Sequence, residues 1–428
     1  PPSGVIIEIR SVGFLNSGGT LAPATLTGGT GISVVTNSPN NFTISNTLID
    51  VTVSFNAPTG QSLTYTTPGT STGQAGSIFT STTFTVTKAS ATLSGTAVIT
   101  GLPAGITSTQ SYNNTNTGNI LTITLSGIYP STNSIGTNLV ISGLTAVEAL
   151  LIDYLIVAGG GAGGADWGGG AGAGGLRSSI DSNGGGANPE TVLALSVATN
   201  YIVTIGGGGS NSQGSNSTFS NITSTGGGWG GLDNSRNGGI GGSGGGGGYG
   251  TSGGAAVTTV TQGYAGGNGY FTGGTTYACG GGGGAGLAAQ NATSKVASAG
   301  GIGITNSITV ASGTGPYYAG GGGGGAYGPY SSTAGAGGNG GGGNGATGGK
   351  GDDATNFTGG GGGGGAGGGG TSGAGGSGIV ILRYSDSFTL TNPGGGLTFT
   401  TDNTTVANTN ITTFSNAGGT GNIQFNPN

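Results

Sequence analysis

Few residues in this chain of 428 could do covalent chemistry. It contains no histidine, no methionine and one cysteine, Cys279. A Ser-His-Asp triad and any metal site built on His or Cys are therefore excluded. Cys279 adjoins the run 280–284 of glycines, where a small buried thiol is expected rather than a nucleophile. Asp352 and Asp353 are neighbours in a turn-like segment and read as solvated carboxylates or minor calcium ligands, not as a hydrolytic pair. Sequons such as Asn291-Ala-Thr and Asn356-Phe-Thr arise by chance in a chain this rich in Asn and Thr. The groups that could bind are rings. Trp229, Tyr249, Tyr270, Phe271, Tyr277, Tyr317, Tyr318, Tyr327, Tyr330 and Phe357 all lie within or between glycine blocks. Such rings offer large contact area at low entropic cost, stacking on sugars or packing on protein loops. The competing role of each is to seal the scaffold that carries it. No catalytic residue, metal ligand or cofactor is assigned, and the chain reads as non-enzymatic.

Positioning those rings falls to the stretch from Ala158 to Gly378, which holds most of the 110 glycines. Two strongly apolar segments bracket it, Ile152 to Ala158 and Gly378 to Tyr384. Both read as buried strands that pair or lie side by side, so that the glycine region leaves and re-enters one small sheet. A flexible linker is the simplest reading of so much glycine, but the other residues keep phase. Ile240, Ser243, Tyr249, Ser252 and Ala255 recur at multiples of three. So do Ala162, Ala165 and Ala171; Asn344, Thr347, Lys350 and Asp353; and Thr371, Ala374 and Ser377.

Three is the repeat of the polyproline II helix, which glycine also adopts and which has no internal hydrogen bonds. Its amides must bond laterally, so a bundle of such helices is expected, with side chains tolerated only where a face looks outward. At roughly 3.1 Å per residue, the run from Gly359 to Gly365 would span about 20 Å. Collagen is rejected, because glycine here fills every phase and proline is scarce.

Charged residues make up 4% of the chain and the net charge is −5. Seven scattered basic residues cannot neutralise a phosphate track, so no nucleic-acid partner is expected. No apolar run reaches membrane length, with Asp153 interrupting the best candidate, so no membrane insertion is expected. Because it does not begin with Met, the sequence is expected to be processed or trimmed, which leaves export by a signal peptide open.

The fold expected is mostly β. Val5 to Arg10 reads as a strand, and Gly31 to Val35 and Phe42 to Ser45 as a hairpin across a turn-rich connection. Short Thr/Val/Ile-rich strands follow at sandwich spacing, among them Val51 to Phe55, Thr83 to Thr87, Ile120 to Ser126 and Asn138 to Ser142. Leu193 to Val197 and Tyr201 to Ile205 are strands inside the glycine-rich part. Four regions result: an N-terminal β attachment motif (1–49), a β-sandwich (50–148), the glycine-rich domain (149–385) and a C-terminal β hairpin or cap (386–428).

Three resemblances follow from these residues. Leu26 to Val34 with Asn41 to Thr47 resembles a short β motif of phage tail fibres. Gly101 to Ile106 with Leu121 to Ser126 resembles immunoglobulin-like or cadherin-like modules, with too few acidic residues for a cadherin calcium site. The third rests on Tyr154 to Gly161, Gly168 to Arg177, Tyr201 to Gly206 and Gly376 to Tyr384. Together these resemble the glycine-rich, polyglycine II domain of bacteriophage tail-fibre and tail-tip adhesin proteins. That resemblance implies a virion or extracellular location and rings exposed on loops. It implies as partner a host cell-surface glycan or an outer-membrane protein, and other virion proteins through the N-terminal motif. Tail fibres are often homotrimers and tip adhesins can be single chains, so copy number stays open. A structural filament subunit assembling through β edges is the alternative, and ice binding ranks below both.

Overall fold

The structure is a computed structural model. It describes residues 149–428 except 234, 274–276 and 328–332, and within 1–148 mainly the backbone of strands. It is mostly β, and two compact units divide it, residues 1–149 and 150–428.

In the first unit the described strands link into one sheet. Its strongest pairings join Thr117–Ile128 to Ile78–Lys88 and Ile106–Asn114, and Val140–Glu148 to Ala91–Thr100, all antiparallel. Leu121 and Ile123 are fully buried. The expected hairpin is re-paired: Asn41–Ser45 joins Ile49–Val53 antiparallel, and Ser33–Val34 lies parallel to Ser62–Thr64. The connection 46–48 is shorter than 35–40, and closing it costs less chain entropy.

The second unit begins with the bracketing strands. Leu150–Val157 and Ile379–Ser385 pair antiparallel, from Asp153 opposite Arg383 to Val157 opposite Ile379, as their apolar character predicts. Around them the sheet runs Leu176–Ser178, Leu150–Val157, Ile379–Ser385, Thr409–Phe414, Phe399–Asp402, with Leu193–Leu195 on the start of Leu150–Val157. A second sheet runs Ile222–Ser224, Ser217–Phe219, Tyr201–Thr204, Thr420–Pro427, Phe388–Thr391. The C-terminal segment does hold a hairpin, Phe399–Asp402 with Thr409–Phe414, but its strands complete both sheets.

Alternation along the bracketing strands divides the core in two. Ile152, Tyr154, Ile156, Val380, Leu382 and Tyr384, with Phe414 of the same sheet, face the second sheet, where they meet Val203, Phe219 and Phe425. Leu155, Val157, Ile379 and Ile381 face the opposite way, against Ala173, Leu176, Ala285, Ile308, Tyr318 and Ala319. Burial on both faces explains why these strands are almost continuously apolar. Each fully buried Leu or Ile contributes about 2 kcal/mol.

Tyr154 reaches through the first of these cores to donate its hydroxyl to Glu190 Oε2 at 3.0 Å. Arg177 grips the same carboxylate with two bonds, 2.7 and 2.6 Å. Burial, then the Glu190 charge, push the Tyr154 hydroxyl well above its ordinary value of 10.0. Tyr318 and Tyr384 are also raised by burial. A raised folded-state value means that the unfolded chain ionises first. This contribution is therefore complete below about pH 10 and shrinks as the pH climbs beyond it. Urea midpoints measured from about pH 8 to about pH 11 should fall above about 10, with a shallower fall in Tyr154→Phe. A flat profile, or an unchanged slope in the variant, would contradict the assignment.

Between the bracketing strands the chain runs back and forth as extended segments bonded side by side. Segment 158–164 shows the rule. Ala158, Gly161 and Gly164 donate to Gly175, Gly172 and Gly169, while Gly159 and Ala162 donate to Ser215 and Ser212. Gly160 and Gly163 donate to Gly376 and Gly373. Every third amide thus goes to the same neighbour, the lateral bonding that a three-residue repeat demands.

Segment 168–175 is surrounded. It donates to 359–365, 225–231 and 280–283, and it accepts from 158–164, 243–246 and 322–325, at 2.7–3.1 Å. The neighbours run both parallel and antiparallel. Each bond contributes about 1 kcal/mol net, and an amide left unpaired in such an interior costs about 1–3 kcal/mol.

Side chains inside the bundle depart from expectation. Ala162, Ala171, Ala173, Ser243, Cys279, Ala285 and Ala326 are fully buried on these segments rather than outward-facing. None is larger than a thiol. The lattice admits a one- or two-atom side chain at selected interior positions; Gln262, 4% exposed, enters with its Oε1 accepting from the Thr225 amide at 2.7 Å, whereas Ile240 is 60% exposed.

Candidate functional site

Each extended segment turns either beside the two packed sheets of residues 150–428, the sandwich end, or at the far end. Segment 158–164 leaves the sheet, turns at 165–167, and segment 168–175 returns to strand Leu176–Ser178. Asp166 and Trp167 make that turn with positive φ, 38° and 60°. Asp166 Oδ1 accepts from the Gly368 and Gly369 amides at 2.9 and 3.1 Å, fastening this turn to the next far-end turn. A Cβ on Gly367 would lie 2.2 Å from Trp167 Cε2, so the indole rests on bare backbone there.

Around Trp167 the far-end turns bring four more rings together. Its ring centroid lies 5.5 Å from Tyr249, 4.7 Å from Tyr277 and 5.3 Å from Tyr327. Tyr249 is 4.9 Å from Tyr277 and 5.7 Å from Phe271, which stacks on Tyr277 at 5.3 Å. Strands Tyr270–Phe271 and Tyr277–Ala278 form the hairpin that holds this part. Four of the rings are half-buried, and Phe271 is 42% exposed. Edge-to-face and tilted pairs of this kind contribute about 0.5–1.5 kcal/mol each beyond their burial. The result is a firm apolar apex bordered by the exposed Asp166 carboxylate. Burial raises the Tyr249 hydroxyl, with Asp233, Tyr277 and Asp166 adding to it.

The remaining candidate rings are elsewhere. Trp229 is half-buried on segment 225–231, with the Arg236 guanidinium 5.4 Å from its ring centre. Tyr270 is half-buried in the apical hairpin. Tyr317 and Tyr318 pair with Ile304–Thr305 at the sandwich end, where Tyr318 is buried in the core and Tyr317 is 45% exposed. Phe357 packs half-buried against that same core. Tyr330 lies outside the described residues.

Trp167 is the principal residue of the apex that the sequence reading passed over. Its signal is the tripeptide Ala165-Asp166-Trp167, where the only large side chain between the first two glycine blocks marks a turn.

Cys279 is buried, and desolvation pushes its thiol up to about 12, so it presents no thiolate. Asp353 pairs with Lys350 at 2.7 Å, and the Lys350 hydrogen bond holds its carboxyl below the usual range. Asp352 accepts instead from Asn344 at 2.9 Å. Each carboxylate is engaged separately. Among the described residues no cluster of His, Cys, Asp and Glu could hold a metal, and no helix is long and apolar enough to cross a membrane.

A family model described as a glycine-rich domain matches residues 142–385. It begins within strand Val140–Glu148, just before the first bracketing strand, and ends with the second, Ile379–Ser385. No curated protein and no solved structure matches the chain.

Proposed function

The chain belongs to the glycine-rich domain family, and from that premise we propose that it is a non-enzymatic adhesin of a virion fibre or tail tip. The bundle is the rigid carrier, and the apex is the surface that meets a host-cell glycan or outer-membrane protein. One observation carries this reading: Trp167, Tyr249, Tyr327 and the hairpin pair Phe271 and Tyr277 come from four separate stretches of the chain and meet in one cluster. Clustered rings on a preorganised support are the usual anchors of protein recognition. Residues 50–148 serve as an immunoglobulin-like spacer and residues 1–49 as the attachment to other virion proteins.

Labelled full chain should bind cells of at least one strain in a bacterial panel. The triple variant Trp167→Ala, Tyr249→Ala, Phe271→Ala should weaken that binding at least about tenfold, while Tyr317→Ala at the sandwich end leaves it unchanged. Undiminished binding by the triple variant, or no binding to any strain by the wild type, would overturn the reading.

A second reading, a structural filament subunit, has one observation in its favour. Strand Phe399–Asp402 lies at a sheet edge with Thr400, Thr401 and Asp402 exposed, where another copy could add a strand. Electron micrographs of the purified chain showing long polymers would favour it.

A further inference from the structure

We propose that the flank of the bundle around Trp229 and Arg236 binds a saccharide bearing a carboxylate. A cavity of about 550 Å³ opens there, lined by Gln213, Trp229, Arg236, Asn237, Ile240 and Val257. That volume falls in the range of small-ligand sites.

The cavity joins an apolar wall to one uncompensated cation. Arg177 and Lys350 each have a carboxylate partner. Arg236 has none among the described residues, and its guanidinium is exposed beside the Trp229 ring. In a chain with only seven basic residues, a guanidinium held at an indole and left without an acid is available to an anion. Guanidinium binds carboxylate in paired, charge-assisted bonds.

The neighbouring polar groups suit hydroxyls. Gln213 Nε2 donates to Gly226 O and Asn237 Oδ1 accepts from Ser252 N. This leaves the Gln213 carbonyl and the Asn237 amino group as an acceptor and a donor at the rim. Trp229 Nε1 is a buried donor with no partner. Main-chain recognition of a peptide is poorly served, because the Gly238, Gly239 and Val257 amides are already bonded to Ser252, Trp229 and Gly241. Side chains alone remain to read a ligand, and together they offer an indole, a cation and two amide groups.

This site is separate from the apex, and the proposal does not rest on the apical reading. Calorimetric titration of the full chain tests it, using a glucuronate-terminated trisaccharide, its glucose-terminated counterpart, and acetate as a competitor. The acidic trisaccharide should bind at least about tenfold tighter than the neutral one. Arg236→Gln should remove that preference, Arg236→Lys should keep part of it, and the apical triple variant should keep all of it. Equal binding of both saccharides, an unchanged preference in Arg236→Gln, full displacement by equimolar acetate, or no saccharide binding would each overturn the proposal. Unchanged circular dichroism of Arg236→Gln, an exposed position, excludes unfolding as the cause of a loss. Loss of cell binding with saccharide binding intact, or the reverse, separates failure of one site from failure of the other.

Discussion

Gly170→Ala is expected to destroy the folded bundle, with a loss of more than about 4 kcal/mol, whereas Gly207→Ala should stay within about 1 kcal/mol of the wild type. The first methyl would lie 2.0 Å from the Gly322 carbonyl oxygen and 2.4 Å from its carbon. Both are backbone atoms of a neighbouring segment and cannot swing aside. Room could come only from moving that segment away, which strips hydrogen bonds from both. Segment 168–175 is bonded on all sides, so the disturbance has no free surface to relax into. At Gly207 a Cβ meets nothing within 4 Å, and its φ is not positive. The adjoining Ala171 already carries a buried methyl, so lateral clearance and not residue size alone separates the cases. Thermal unfolding and amide exchange over residues 168–175 check this. A Gly170→Ala chain with wild-type protection would refute the lateral-bonding account.

The second large effect is expected at Arg177. Its guanidinium bonds both oxygens of Glu190 and also donates to the Thr223 carbonyl at 3.2 Å, joining the two sheets. Removing one member of a buried pair leaves a stranded charge, which costs about 3–5 kcal/mol. Here the side chains are 16% and 22% exposed, and solvent screening reduces the figure. Arg177→Ala should therefore cost about 2 kcal/mol. Glu190→Ala would leave the Arg177 guanidinium and the Tyr154 hydroxyl without their acceptor, so it should cost a similar amount, and the double variant much less than the sum. Urea denaturation of the four proteins measures the coupling. Strict additivity would mean that the contact holds nothing.

Much of this architecture is legible in the sequence because it is written in backbone terms. The bracketing strands declare themselves by unbroken apolar runs, and the three-residue phase of Ala162, Ser243 or Asn344 announces lateral bonding. What stays hidden is which end of the bundle a turn occupies. Tyr277 and Tyr318 sit in similar contexts beside glycine runs, yet one is apical and the other lies in the core against the sheet. The difference depends on how many segments precede each, and one misread turn reverses every later assignment. Trp167 was hidden by the brevity of its turn. The buried alanines were hidden because interior room depends on the stagger of segments distant in sequence. Strands Phe388–Thr391 and Thr420–Pro427 show clear alternation, but the partner of the latter, Tyr201–Thr204, lies more than two hundred residues earlier, beyond any local signal.

The arrangement by which every third amide of 158–164 addresses the same neighbour has a consequence for how such a molecule can change length. Lengthening a strut by three residues adds one full turn and returns each donor to its former direction. Adding one or two rotates all subsequent donors towards the wrong partners. Insertions and deletions within the struts should therefore be tolerated in triplets of residues, whereas the connecting turns, outside that count, are free to vary one residue at a time.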